Sequence, residues 1–232
     1  MLTNQSNRFV CAASDEDDSY GVQFASWPRI GEPGALGELC TELTIWEAAR
    51  ATSAASTFFE PIQIGRNGRV FRDGATNANN PVQVLWALAR DEWGGQQDVP
   101  FEQQVKVLVS IGTGASAIYP FGNTPKSMMG TLKRLTTETE KTADIFYNDR
   151  SGDLLKRDAY LRLNVKKGLE NVRLEDASQR RIIATATDKY GSSGEVQGKI
   201  TKFCATAVRD ESISDLSFPI WFDSDKAKTR RV

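Results

Sequence analysis

The stretch Phe71-Arg72-Asp73-Gly74-Ala75 ends a short run, Arg69 to Arg72, which the preceding Gly65-Arg66-Asn67-Gly68 marks as a strand entered from a tight turn. An aspartate at the carboxyl end of a strand, with glycine next, stands where α/β folds place their ligands. Glycine there lets the chain turn sharply and lets a substrate come close to the backbone. Asp-Gly is also ordinary turn chemistry, so the dipeptide alone does not separate a site from a bend. Working downstream, Asn79-Asn80-Pro81 predicts a helix with Asn80 as cap and Pro81 at the first helical position. That helix should run to about Trp93 and stop at Gly94-Gly95. Val105 to Ile111 is a continuous apolar strand, the pattern of a parallel strand covered on both faces, and it ends in Gly112-Thr113-Gly114.

Upstream, Thr44 and Glu47 have the spacing of a capping box, so a helix should begin near Thr44. The alanine-rich run Trp46 to Ala55 suits a helix packed closely against a sheet. Arg8 to Ala13 reads as a short buried strand, followed by the acidic run Asp15 to Asp18 and a Gly- and Pro-punctuated loop through Gly37. Further on, the pattern predicts a helix over Thr131 to Tyr147 and a strand over Tyr160 to Val165. Helices over Asp176 to Tyr190 and Glu195 to Arg209 follow. Strands alternating with helices argue for an α/β layer fold. Three or four core strands are fewer than a complete doubly wound sheet carries, so the chain reads as part of a domain.

Composition narrows the function. With 232 residues the chain can build one good-sized core or at most two small ones. A net charge of -1 gives no electrostatic reason to expect nucleic acid as a partner. No apolar run approaches the roughly 20 residues that cross a bilayer, which points to a cytoplasmic protein or one peripheral to membranes. The three cysteines, Cys11, Cys40 and Cys204, lie far apart and are expected to be reduced and buried in helices or strands. There is no histidine. A Ser-His-Asp triad, a Cys-His pair and a His-ligated metal within this chain are therefore excluded, and a general base must be a carboxylate or, less readily, lysine, tyrosine or cysteine. No cofactor or metal is expected.

The stretch from Trp46 to Phe59, then Phe71-Arg72-Asp73-Gly74-Ala75, Asn79-Asn80-Pro81-Val82 and Val109-Ser110-Ile111-Gly112-Thr113-Gly114 resemble, in order and spacing, the motif blocks of the patatin-like phospholipase family. Tyr160-Leu161-Arg162-Leu163-Asn164-Val165 is similar to a later block of its fungal-type members. The resemblance covers roughly Arg8 to Tyr190. It implies a three-layer α/β/α fold with a mainly parallel central sheet, and hydrolysis of lipid or phospholipid acyl esters by a serine-aspartate dyad. Asp73 matches the dyad aspartate and would take the proton from the serine hydroxyl as that oxygen attacks the ester carbonyl.

Two parts of the pattern are missing. No G-x-S-x-G elbow is present: Gly114-Ala115-Ser116-Ala117 is followed by Ile118, and Gly191-Ser192-Ser193-Gly194 has the wrong spacing. The glycine-rich oxyanion loop is absent too. Both belong upstream in the family, so the chain is expected to be a carboxy-terminal part (1-190) of such a domain with its N-terminal portion missing, followed by a helix and tail (191-232). Alone it should be inactive, because nucleophile and oxyanion donors supply most of the rate. The alternative is a non-catalytic lipid-binding or regulatory remnant. Head-group preference and oligomeric state are not legible.

Other features weigh less. Gly112-Thr113-Gly114 lacks both G-x-G-x-x-G and a P-loop lysine, which favours a structural turn. The run Asp15 to Asp18 lacks the glycine and terminal glutamate of a helix-loop-helix calcium site. Phe218-Pro219-Ile220-Trp221-Phe222 either packs onto the domain or inserts at a membrane-water boundary, with Lys226, Lys228, Arg230 and Arg231 behind it as a charged tail. Arg50 is a candidate to pair with a carboxylate near the active face, which the sequence does not identify.

Overall fold

A computed structural model of the protein describes residues 10–15, 21–25, 43–55, 58–94, 99–114, 126–149, 152–170, 172 and 176–208. The aromatic cluster at Phe218 to Phe222, the basic tail, Ser116, Cys40 and most of the acidic run lie outside them. The first sheet grows from the predicted turn. Gly65 and Gly68 take φ values of 76° and 61°, the left-handed region that a β-carbon disfavours, and the Gly68 N–H donates to the Gly65 carbonyl at 3.1 Å. The turn joins strand β3 (Ile62–Ile64) to β4 (Arg69–Asp73), with Ile64 opposite Arg69. Strand β1 (Val10–Asp15) pairs with the other edge of β4, and β2 (Gly21–Ala25) lies outside it, giving the order β2-β1-β4-β3.

Every pairing in this sheet is antiparallel. That departs from the mainly parallel sheet expected from the sequence. Residues 16–20 and 65–68 are the whole of the β1–β2 and β3–β4 connections, far too short for the crossover that parallel neighbours need. Helix α1 (Ile45–Thr52) covers the sheet. Its capping box forms as predicted: the Glu47 N–H donates to Thr44 Oγ1 at 3.4 Å, and the Thr44 N–H donates to the Glu47 carboxylate at 2.9 Å. Small side chains bring helix and strands together, with Ala51 and Ala54 wholly buried. Val22, Phe24, Ala51, Ile64 and Phe71 form this core, and Phe24 meets Phe71 edge to face at 5.2 Å between ring centroids.

A second core begins after Asp73. A one-turn helix α2 (Ala75–Ala78), not expected from the sequence, leads into α3 (Val82–Trp93). Helix α3 starts one residue later than predicted, with Pro81 just ahead of it. Pro81, not Asn80, is the N-cap, because the helical backbone begins only at Val82; the Asn80 carboxamide oxygen accepts from the Val82 N–H at 3.3 Å. Helices α4 (Phe101–Gln104), α5 (Lys126–Asp149) and α6 (Gly152–Lys156) then alternate with β5 (Leu108–Ile111) and β6 (Tyr160–Leu163). The core here is a chain of rings: Trp86 with Phe101 at 4.9 Å, Trp86 with Phe146 at 5.6 Å, and Phe146 with Tyr160 at 5.3 Å. After a 3-10 turn (Ala177–Gln179) come α7 (Arg180–Gly191) and α8 (Gly194–Val208), and α8 sets Val196 and Phe203 inward.

Strands β5 and β6 pair in parallel, Leu108 opposite Tyr160 and Ile111 opposite Leu163, as the apolar run Val105 to Ile111 predicted. Only one face is covered among the described residues. Val109 and Ile111 are 44% and 76% exposed while Ser110 between them is buried, so the expectation of burial on both faces is corrected. Cys204 is likewise exposed rather than buried, because the helical period that turns Phe203 inward carries its neighbour out. Among the described residues the fold is mixed α/β, with two small sheets, one of them parallel, and two separate cores. No helix among the described residues is long and apolar enough to cross a membrane.

Candidate functional site

Asp73 is the last residue of β4, where the sequence placed it. Three hydrogen-bonding features fix it. Its backbone pairs with Ala13 of β1, its N–H donates to the Ala54 carbonyl at 3.0 Å, and its Oδ1 accepts from the Ala75 N–H at 2.7 Å. The carboxylate thus helps turn the chain into α2, over a buried Gly74. Asp73 itself is half-buried. Chemically, a carboxylate held on a strand end by its own turn is preorganised to accept a proton from a neighbouring hydroxyl. Arg50 does not take the carboxylate expected for it: among the described residues it donates to the Glu60 carbonyl at 2.5 Å and lies 5.7 Å over the Phe59 ring.

The sequence blocks meet in two pairs. The Trp46 to Phe59 block reaches Asp73 through Ala54, in the first core. The Gly112-Thr113-Gly114 block meets the Tyr160 to Val165 block through β5 and β6, in the second. Between the cores, the Asn79-Asn80 pair ties the chain after Asp73 to α5: Asn80 Nδ2 donates to the Thr139 carbonyl at 3.2 Å, and Asn79 Nδ2 donates to the Thr139 hydroxyl at 2.5 Å.

The second pair carries a polar network that the motif reading missed. Ser110 stands opposite Arg162 in the parallel register, and Arg162 Nη1 donates to Ser110 Oγ at 2.8 Å. Arg162 Nη2 lies 3.7 Å from Glu140 Oε1, an ion pair but not a hydrogen bond. Asn164 is buried; it donates to Glu140 at 3.0 Å and accepts from the Gly114 N–H at 2.8 Å. Gly114 itself takes φ 96°. Burial pushes the Tyr160 phenol above its ordinary pKa, with nearby Ser110 and Arg162 acting the other way. Ser110 is close but does not align as a partner, and the Tyr160 hydroxyl and Arg162 Nη2 make no hydrogen bond among the described residues. A signal was available: Ser110 and Arg162 are polar interruptions of otherwise apolar strands, and such interruptions need each other when buried.

Among the described residues the Ser110 hydroxyl is met by a cation, Arg162, and not by a base that would activate it. No group of His, Cys, Asp or Glu side chains among the described residues is arranged to hold a metal. A scan against protein-family models and a search of curated proteins both find no match to this chain.

Proposed function

We propose that the chain is the carboxy-terminal part of a patatin-like lipid acyl hydrolase of three-layer α/β/α architecture, in which Asp73 serves as general base to a serine that lies outside these 232 residues. One observation carries the reading. Asp73 sits at a strand end with its carboxylate braced by the Ala75 N–H, and the chain around it follows the family-like order of blocks in a protein that has no histidine to act instead. The carboxylate would accept the serine proton directly, and the ester carbonyl of a lipid or phospholipid would take the serine oxygen. The substrate is then met at a membrane or micelle surface by a protein of cytoplasmic, peripheral character.

A second reading is favoured by the same hydrogen bond. An aspartate that caps its own turn needs no serine, which is what a non-catalytic lipid-binding or regulatory remnant would retain.

Labelling of the native protein with a fluorophosphonate, followed by intact mass and peptide mapping, separates the two. The hydrolase reading expects a mass above 25.6 kDa and a labelled serine within G-x-S-x-G. A native protein of 25.6 kDa that takes no label would leave the remnant.

A further inference from the structure

A cleft of about 820 Å³ opens between α5, β6 and the α7–α8 pair, within the range of roughly 300–1,000 Å³ typical of small-ligand sites. None of its lining residues belongs to the sheet that carries Asp73. Six Lys and Arg side chains line it against three Asp and Glu. Two of the acids are already engaged, Glu195 with Lys199 and Glu140 with Arg162 and Asn164. Lys166, Lys167, Arg181 and Lys189 line the cleft with Asp144, Lys166 within electrostatic reach of Glu195 and Lys167 of Glu170, in a chain whose overall charge is only -1.

The floor supplies an independent observation. Tyr160 lines the cleft, is only 9% exposed, and its hydroxyl has no partner among the described residues. The Arg162 guanidinium beside it has Nη2 in the same condition. A buried donor without an acceptor destabilises the fold, and more so when it is charged. Both atoms are closed off from solvent, so it is the cationic rim that an anion in the cleft would meet.

We propose that this cleft binds an organic phosphate. Four cations round one opening suit a multiply charged group better than a single carboxylate, and a phosphate monoester carries about -1.5 to -2 charges and three free oxygens at neutral pH. Arg181 suits it as a planar fork and the lysines as mobile point charges. Ile182, Ala186 and Val196 form an apolar wall beside the cations, which gives the ligand's carbon skeleton a surface that a free anion would leave unused. The inference goes beyond the acyl-hydrolase reading and does not depend on it, since it involves neither Asp73 nor a serine.

Isothermal titration of the full chain with inorganic phosphate, glycerol 3-phosphate and a monomeric short-chain phosphatidic acid tests it. The organic phosphates should bind more tightly than inorganic phosphate, and added salt should weaken them. Arg181→Gln and Lys189→Gln should each cost about tenfold in affinity, the size of one charge-assisted hydrogen bond. Both residues are exposed, so both variants should fold and the test stays decisive. Tighter binding of phosphatidic acid than of glycerol 3-phosphate would make a lipid head group the source. Equal affinity for inorganic phosphate would overturn the organic ligand. The proposal also fails if none of the three probes binds, or if both variants bind as the parent does.

Discussion

The carboxamide oxygen of Asn164 accepts the Gly114 N–H at 2.8 Å, and a β-carbon placed on Gly112 would stand 2.3 Å from that same oxygen. The loop after β5 is therefore shaped around one buried side chain from the end of β6. Glycine at 112 is required by space, and the asparagine is required by the loop's backbone.

A double-mutant cycle follows from that geometry. Gly112→Ala should destabilise by about 1–3 kcal/mol through overpacking. Asn164→Ala should cost a similar amount, about 1–3 kcal/mol, by leaving the Gly114 N–H without its acceptor. Together they should cost less than their sum, because Asn164→Ala removes the oxygen that the new methyl group strikes. Urea midpoints of the four proteins measure this. Strictly additive losses would show that the two residues do not meet.

Two cores predict two stability units. Phe71→Ala and Phe146→Ala each remove a fully buried ring and should each cost about 3–5 kcal/mol. Hydrogen exchange read by mass spectrometry should localise the damage. Phe71→Ala should raise exchange in β2 to β4 and α1, and Phe146→Ala should raise it in α3, α5 and β6. A uniform rise after either substitution would mean that the cores unfold as one.

Much of this architecture was legible locally and little of it globally. The capping box at Thr44 and Glu47, the Gly65 to Gly68 turn and the strand end at Asp73 follow from nearest-neighbour chemistry, and the structure places them where the residues said. Sheet direction is a tertiary choice, made by which strands meet, and an apolar run such as Leu108–Ile111 does not reveal that Ile111 is left facing out. The pairing of Ser110 with Arg162 spans fifty-two residues. Both residues lie in the quoted blocks and interrupt apolar strands, but which polar residue meets which is decided by the register of β5 on β6. For Asp73 the position was readable, whereas its hydrogen bond to the Ala75 N–H depends on the turn geometry.

Tyr160 gives a pH prediction. Its phenol is held above the ordinary value by burial, so the folded state keeps a proton that the unfolded state releases first. The native state binds more protons in that window, and stability must fall as pH rises from the ordinary tyrosine value, about 10, through the higher native one. Tyr160→Phe removes both the titration and a hydroxyl that has no partner among the described residues. The variant should match or exceed the parent at neutral pH and lose less on the alkaline limb. Denaturant midpoints across the alkaline range check it; parallel curves for the two proteins would show that the phenol does not titrate on unfolding.

Asp73 lets catalysis and structure be separated by one pair of substitutions. Asp73→Asn keeps an oxygen at the position that accepts the Ala75 N–H, so the turn into α2 should survive with a change of well under about 1 kcal/mol. Asp73→Ala removes that acceptor and should cost about 1 kcal/mol, within the 0.5–2 kcal/mol measured for lost side-chain caps. As a general base, however, the amide is as useless as the methyl, because neither takes a proton from a serine. In a protein that includes the serine elbow, both variants should therefore lose about 10²- to 10⁴-fold in fatty-acid release, the usual worth of a positioned base, despite their different stabilities. If activity instead followed stability, with Asp73→Asn close to the parent, the carboxylate would be a cap and nothing more. The same pair in residues 1–232 should differ in denaturation midpoint alone, since no nucleophile elbow is present there for Asp73 to serve.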